Sequence, residues 1–383
     1  MSGFDIVVNN GLWFDGTGVP GLRRNLGIRD GVVAEVSIDP LLAGPDTEVI
    51  DAADKWVLPG FVDVHTHYDA EVLVSPGLPE SVRHGVTTVV LGSCSLSTVY
   101  STPQESADLF SRVEAVPHDA VLRILQEKKT WTGPAAYAAA LDALPLSPNV
   151  AAFIGHSGHR NFYDAVIVGC PDETLIGKNF GEVGDIRGVH PVDAYLDLVV
   201  KYGKKLRWRT TIANHRPKYA KKLASSSGVQ MGFGDVGAHL RNMAFYNYPV
   251  RLLKRVNDAQ GDRKPFLTVE RAIHRLTGEL ADWYGLDAGH LRKGDRADLV
   301  VIDPAGFDES VEGLFEATVP EYNGISRMVN RSDGAAVATV INGRLVYRDG
   351  AFAAGFGIEK TGRFLRAGEN SPAMESVRAS VAP

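Results

Sequence analysis

Six short candidate strands, most of them rich in apolar residues, constrain the fold more than any other feature of the chain: Val57 to Val64, Val86 to Leu91, Val150 to Ile154, Ala165 to Val168, which could be peripheral, Leu206 to Ile212 and Val229 to Phe233. A strand with one wet face alternates apolar and polar residues, whereas a strand covered on both faces reads as a continuous apolar run. Helical patterns lie between these runs at Gln104 to Val113, Pro134 to Leu144 and Pro191 to Tyr202, and two more follow at Tyr248 to Val256 and Val269 to Tyr284. Strands alternating with helices predict an α/β protein of barrel type, with a parallel sheet covered by helices.

The two ends of the chain have a different texture. Phe4 to Val8, Asn25 to Ile28 and Val32 to Val36 are short strands separated by Asn9-Asn10-Gly11 and Arg29-Asp30-Gly31, and Asn-Gly or Asp-Gly between apolar runs punctuates hairpins. Asp298 to Ile302 and Val337 to Tyr347, the latter interrupted at Asn342-Gly343, repeat the pattern. One small β domain built from both termini, residues 1–55 and 290–365, is therefore predicted around a β/α domain at 56–289, with a loose tail at 366–383.

The strand count falls short. A closed (β/α)8 barrel needs eight parallel strands. Between Ile154 and Ala165 stand only small and polar residues such as Gly155-His156-Ser157-Gly158-His159-Arg160, and a parallel crossover takes a dozen or more. Either the sheet is open or part of a barrel is missing at this point.

Charge excludes some functions. Lys+Arg is 40 against Asp+Glu 46, a net charge of -6 over 383 residues, so there is no basic field to hold a nucleic acid. No window reaches the roughly 18 apolar residues of a membrane span, and Met1 to Asn10 carries no basic leader, which predicts a cytoplasmic protein without a membrane partner. Two cysteines, Cys94 and Cys170, cannot build a disulfide framework in a chain of this length.

The strongest chemical signal is Leu58-Pro59-Gly60-Phe61-Val62-Asp63-Val64-His65-Thr66-His67. Its histidines are spaced i, i+2, so the pleat turns both to one face at the C-terminal end of a strand, where β/α proteins build their sites. Converging neutral imidazoles suit a divalent metal such as zinc; the alternative is two polar residues finishing a strand. Val86 to Leu91 likewise leads to Gly92-Ser93-Cys94. A free cysteine is often just a small buried hydrophobe, but a place at the next strand end after the histidine pair favours a ligand. Cys170 reads as structural.

The third signal is Gly232-Phe233-Gly234-Asp235-Val236-Gly237, with glycines that let a substrate approach the backbone. Asp235 could ligate a metal and take a proton from bound water, or simply cap the next helix. His156 ends a strand and either lines the same mouth or is a satisfied polar residue. His190, His215 and His239 read as capping or solvated, while Arg241 is a candidate clamp for a substrate carboxylate.

These motifs, together with Gly294-Asp295-Arg296-Ala297-Asp298-Leu299-Val300-Val301 and Val340-Ile341-Asn342-Gly343, resemble the amidohydrolase superfamily, and within it the N-acyl-D-amino-acid deacylases, or D-aminoacylases. The resemblance implies a metal-dependent (β/α)8 barrel with a small β-sandwich, hydrolysing the amide bond of N-acyl-D-amino acids with one or two zinc ions. By the same resemblance His65 and His67 hold one metal position, Cys94 supplies a metal-binding thiolate, and Asp235 is the catalytic aspartate and a metal ligand on the last barrel strand. Two further histidines from the fifth and sixth strands are implied and do not appear. Missing strands and missing ligands coincide, which predicts the loss of an internal segment with its junction near 157–161.

Two alternatives accompany this reading. A cyclic-amide hydrolase of the hydantoinase or dihydroorotase kind fits the histidine pair, though Cys94 argues against it. A catalytically impaired remnant acting as an interaction protein fits the gap. An incomplete barrel also exposes strand edges, which predicts association into homo-oligomers or poor solubility.

Overall fold

The computed structural model describes residues 3–368 apart from 96, 100, 114–115, 154–164, 211–224, 226–229, 231, 233, 239, 241–243 and 320–324. They form two compact units, one of residues 1–156 with 227–383 and one of residues 157–226. The expected junction at 157–161, most of the expected strand Val229 to Phe233 and the end of the tail lie outside the described residues.

Strands from both ends of the chain share one nine-stranded sheet in the first unit. Its order is Ala351–Phe352, Arg344–Arg348, Ala336–Ile341, Leu299–Ile302, Trp56–Pro59, Ile6–Trp13, Leu22–Arg29 and Val32–Ser37, with Glu48–Asp51 parallel to Ile6–Trp13. Leu299 and Val301 face one apolar core while Val300 and Ile302 face another, so all four are buried and the strand shows no polar alternation. Asp30-Gly31 and Asn342-Gly343 have positive φ at both positions (53° and 78°, 49° and 72°), the geometry of tight hairpin turns. The turn expected at Asn9-Asn10-Gly11 is instead a bulge inside Ile6–Trp13: the pairing with Leu22–Arg29 shifts register between Val8 and Gly11.

The apolar run Val57 to Val64 serves two sheets. Trp56–Pro59 pairs antiparallel with Leu299–Ile302, whereas Phe61–Asp63 pairs parallel with Val86–Leu91. Gly60 makes the handover: a Cβ there would fall 2.0 Å from Thr87 Oγ1. Val86–Leu91 pairs in turn with Asn149–Ala152 through a crossover containing the helices Pro103–Val113, His118–Lys128 and Pro134–Asp142. On the other side, Gly232 and residues 234–236 bond along 64–67, parallel at Thr66 and Val236: Val64 N donates to Gly232 O (2.9 Å), Asp235 N to His65 O (3.1 Å) and His67 N to Val236 O (2.8 Å). On the far edge Val150 exchanges hydrogen bonds with Arg363 O (2.8 Å) and Leu365 N (2.7 Å), so a C-terminal segment flanks Asn149–Ala152. Among the described residues the parallel sheet thus has three strands, fewer than the barrel expectation required.

Helix Tyr248–Gly261 runs on past the expected Val256. The long helix expected over Val269 to Tyr284 is two, Val269–Leu276 and Gly278–Tyr284, divided at Thr277, whose backbone (φ -134°, ψ -95°) leaves the helical region.

Two of the expected strands, Ala165 to Val168, which could be peripheral, and Leu206 to Ile212, fall in the second unit as Ala165–Gly169 and Arg207–Thr210 and pair with each other, antiparallel, rather than with the parallel sheet. The residues of a strand do not say which strand lies beside it. Helices Phe180–Arg187 and Pro191–Tyr202 pack on this ribbon through Ile167, Phe180, Val183, Ala194, Leu198 and Leu206. His190 caps the second of them, its Nδ1 accepting from Val192 N at 3.3 Å.

Candidate metal centre

Beyond Phe61–Asp63 the chain is held between Val90 on one side and Gly232, Asp235 and Val236 on the other. Thr66 turns away and is fully buried, its hydroxyl donating to Val90 O at 2.8 Å. His65 and His67 turn together, with ring centroids 5.3 Å apart. His65 Nε2 stands 3.3 Å from Cys94 Sγ and 3.4 Å from Asp235 Oδ1, and His67 Nε2 stands 3.1 Å from the same Oδ1. The ligand atoms of His65, His67 and Cys94 all lie within 4.8 Å of one another. Three segments remote in sequence thus bring two imidazoles, a thiol and a carboxylate together.

The donor set fits a zinc ion. Tetrahedral zinc binds nitrogen or oxygen at about 2.0–2.2 Å and sulfur at about 2.3 Å, which puts neighbouring ligand atoms about 3.3–3.6 Å apart. The three contacts at His65 and His67 fall close to this range. Burial, opposed by the Asp235 carboxylate, holds the His65 imidazole below its ordinary range and so in the neutral form a metal requires. His67 is nearly closed off from solvent, while Cys94 is exposed, which leaves one side of the cluster open to a substrate.

Backbone conformation marks the same two remote residues. Cys94 has φ 50° and Asp235 φ 52°, a left-handed region that non-glycine residues enter at a cost. Gly92, with φ 77°, sets up the first of these turns, and a Cβ on it would fall 2.4 Å from Phe153 O.

Sequence reasoning passed over two carboxylates that the structure places beside this cluster. Asp63 and Asp69 are both buried, and burial pushes each up to about 7 against the pull of backbone N–H groups. Asp63 Oδ1 accepts from His65 N (3.1 Å) and Gly234 N (3.2 Å), and Asp69 Oδ2 accepts from Gly92 N (3.1 Å). The period-two series Asp63, His65, His67, Asp69 was the available signal. His156, Arg241, His215 and His239 lie outside the described residues. Cys170 packs at the margin of the second unit's core, in keeping with a structural role.

Comparison with known proteins agrees with this picture. The profile of the Amidohydrolase family matches residues 48–167 and 193–347. An uncharacterized protein of Mycobacterium tuberculosis is 38% identical, with 97% of each chain covered. That alignment runs over 592 positions, against 383 residues here, so some two hundred internal positions of the relative stand opposite no residue of this chain. The N-acyl-D-glutamate deacylase of Alcaligenes xylosoxydans xylosoxydans is 34% identical over 157 residues, 41% of this chain and 29% of that one. Among solved structures, D-aminoacylase superposes with a TM-score of 0.55 at 17% identity, covering 95% of this chain and 100% of that one. The N-acyl-D-glutamate deacylase of Bordetella bronchiseptica, solved with zinc and a phosphonate inhibitor, gives 0.52 at 17% identity over 96% and 100%. Matched over most of its length by the family profile and end to end by a relative, the chain belongs to the amidohydrolase family, a family of hydrolases.

Proposed function

We propose that the protein hydrolyses the amide bond of N-acyl-D-amino acids at a zinc centre held by His65, His67, Cys94 and Asp235. Three contacts of 3.1–3.4 Å, from His65 to Cys94 and from both histidines to Asp235, carry the reading. The likeness to N-acyl-D-amino-acid deacylases supports the substrate class. On this reading the three parallel strands with residues 232–236 are part of a (β/α)8 wall, and the strands of both termini form its small β-sandwich. The absent positions belong to the interior of that wall, lost near 157–161, and a second copy covering the gap is part of the same reading.

Zinc bound there, as one ion or two, would acidify a water and polarise the amide carbonyl. Asp235, whose Oδ1 faces both imidazoles, accepts a proton from the attacking water as its oxygen bonds to the carbonyl carbon. The C–N bond then breaks, and the same carboxyl returns the proton to the departing nitrogen, yielding a carboxylate and the free D-amino acid. His65 and His67, whose Nε2 atoms lie 3.4 and 3.1 Å from Asp235 Oδ1, would hold the ion beside that carboxylate. Arg241 is the candidate partner for the substrate carboxylate, and His156 a further candidate substrate contact.

Zinc analysis of the purified chain and hydrolysis of a panel of N-acyl-D-amino acids test this. One or two zinc ions per chain with turnover of linear N-acyl-D substrates are expected. Turnover of hydantoins or dihydroorotate in their place, or a folded protein that takes up no zinc, would overturn it.

A further inference from the structure

On both sides of the histidine strand, the hydrogen-bond ladder ends in a carboxylate. With Val64 N bonded to Gly232 O, the next rung of a regular parallel ladder would carry the Gly234 N–H to the Val64 carbonyl. Asp63 Oδ1 takes that N–H instead at 3.2 Å, and the following one, from Asp235, goes to His65 O at 3.1 Å. The other edge repeats the substitution. With Thr66 N bonded to Val90 O, the next rung would carry the Gly92 N–H to the Thr66 carbonyl, and Asp69 Oδ2 takes it at 3.1 Å. Asp235, the residue after Gly234, and Cys94, two residues after Gly92, then take left-handed backbone (φ 52° and 50°).

We propose that Asp63 and Asp69 are a matched pair of positioning residues, Asp63 setting the turn that presents Asp235 and Asp69 setting the turn that presents Cys94. The inference rests on the metal centre proposed above and on no particular substrate. Each carboxyl group is buried, and its oxygen accepts a backbone N–H at 3.1–3.2 Å in place of the missing rung. Each belongs to the segment that carries the two histidines, with one residue between it and the nearer imidazole. The histidine segment therefore places its own ligands and, through these two side chains, the turns that bring the others. Partners of this kind orient metal ligands without touching the ion.

Cobalt titration of the full-length, metal-free chain separates the two roles, because a thiolate bound to cobalt gives a near-ultraviolet charge-transfer band. Asp69→Ala is expected to lose most of that band and to raise the cobalt Kd about tenfold or more. Asp63→Ala is expected to keep the band while altering the visible cobalt spectrum as Asp235→Asn alters it. Asp63→Asn and Asp69→Asn, which retain an accepting oxygen, are expected to restore wild-type spectra. Where an alanine variant fails to fold, the glutamate variant, displacing the carboxylate by one methylene, takes its place with the same expectation. Unchanged spectra in the alanine variants, loss of the thiolate band in both, or asparagine variants no better than alanine would overturn the proposal. Wild-type chain that shows the thiolate band but cleaves no N-acyl-D-amino acid would overturn the substrate reading and leave this one standing.

Discussion

His65 Nε2 lies 3.3 Å from Cys94 Sγ across 29 residues of chain and 3.4 Å from the carboxylate of Asp235, whose segment bonds to the opposite edge of the histidine strand. No single segment could supply this set of donors, so metal binding and folding of the sheet are coupled.

Replacing the thiol tests the coupling directly. Cys94→Ala should weaken zinc binding by more than about a hundredfold, since losing a ligand exceeds the usual cost of losing an outer-sphere partner. Competition with a chromogenic chelator measures it. Alkylation offers a second view: exposed Cys94 should react readily in the metal-free chain and be protected by zinc, with the half-buried Cys170 indifferent to the metal.

Asp235→Asn keeps the shape of the side chain but removes its ability to carry a proton. Turnover should fall about 10²- to 10⁴-fold, with KM changed much less. Steady-state kinetics on zinc-loaded protein decide it; undiminished kcat would remove Asp235 from proton transfer.

His84 should make stability depend on pH. Fully buried, with Nδ1 2.6 Å from Glu80 O, it is pushed by burial from 6.5 down to about 4. As pH falls below 6.5 the unfolded chain binds a proton that the native state refuses, so stability declines until about pH 4, by about 3 kcal/mol in all. Above pH 6.5 this histidine adds no slope. Urea unfolding at several pH values should show a shallower acid decline in His84→Gln than in the wild type.

Arg327 and Glu71 form a bidentate pair, both bonds 2.8 Å, with both residues buried. Arg327→Met strands an unpaired carboxylate and should destabilise by about 3–5 kcal/mol. The double variant Glu71→Leu with Arg327→Met should recover much of that loss. Denaturant unfolding of the three variants gives the coupling, and a double variant no better than the single one would contradict it.

How far the sequence was legible depended on whether a residue's partner was local. Val86–Leu91 was read with its observed bounds, because a run apolar on both faces has few other uses. Val57 to Val64 was read as one strand, since nothing in the run itself tells that Gly60 must make room for Thr87 and so pass the chain from one sheet to another. Ala165 to Val168 is legible as a strand that could be peripheral, but nothing in its residues names Arg207–Thr210 as its neighbour. At the site, His65, His67, Cys94 and Asp235 were visible as ligand-type residues at strand ends. Asp63 and Asp69 escaped notice because their partners are backbone N–H groups 171 and 23 residues away, and a carboxylate carries no mark of the amide it will meet.

Interleaving of the two ends has a bearing on how this molecule is made. Trp56–Pro59 waits for Leu299–Ile302, and Val150 waits for Arg363 and Leu365. A nascent chain on the ribosome therefore carries its early strands half-paired until residues some two hundred positions later have been translated, and closure of such distant pairs is slow. Early strands of this kind are natural clients for a chaperone, and yield in a recombinant host should rise when translation is slowed or a holdase is co-expressed.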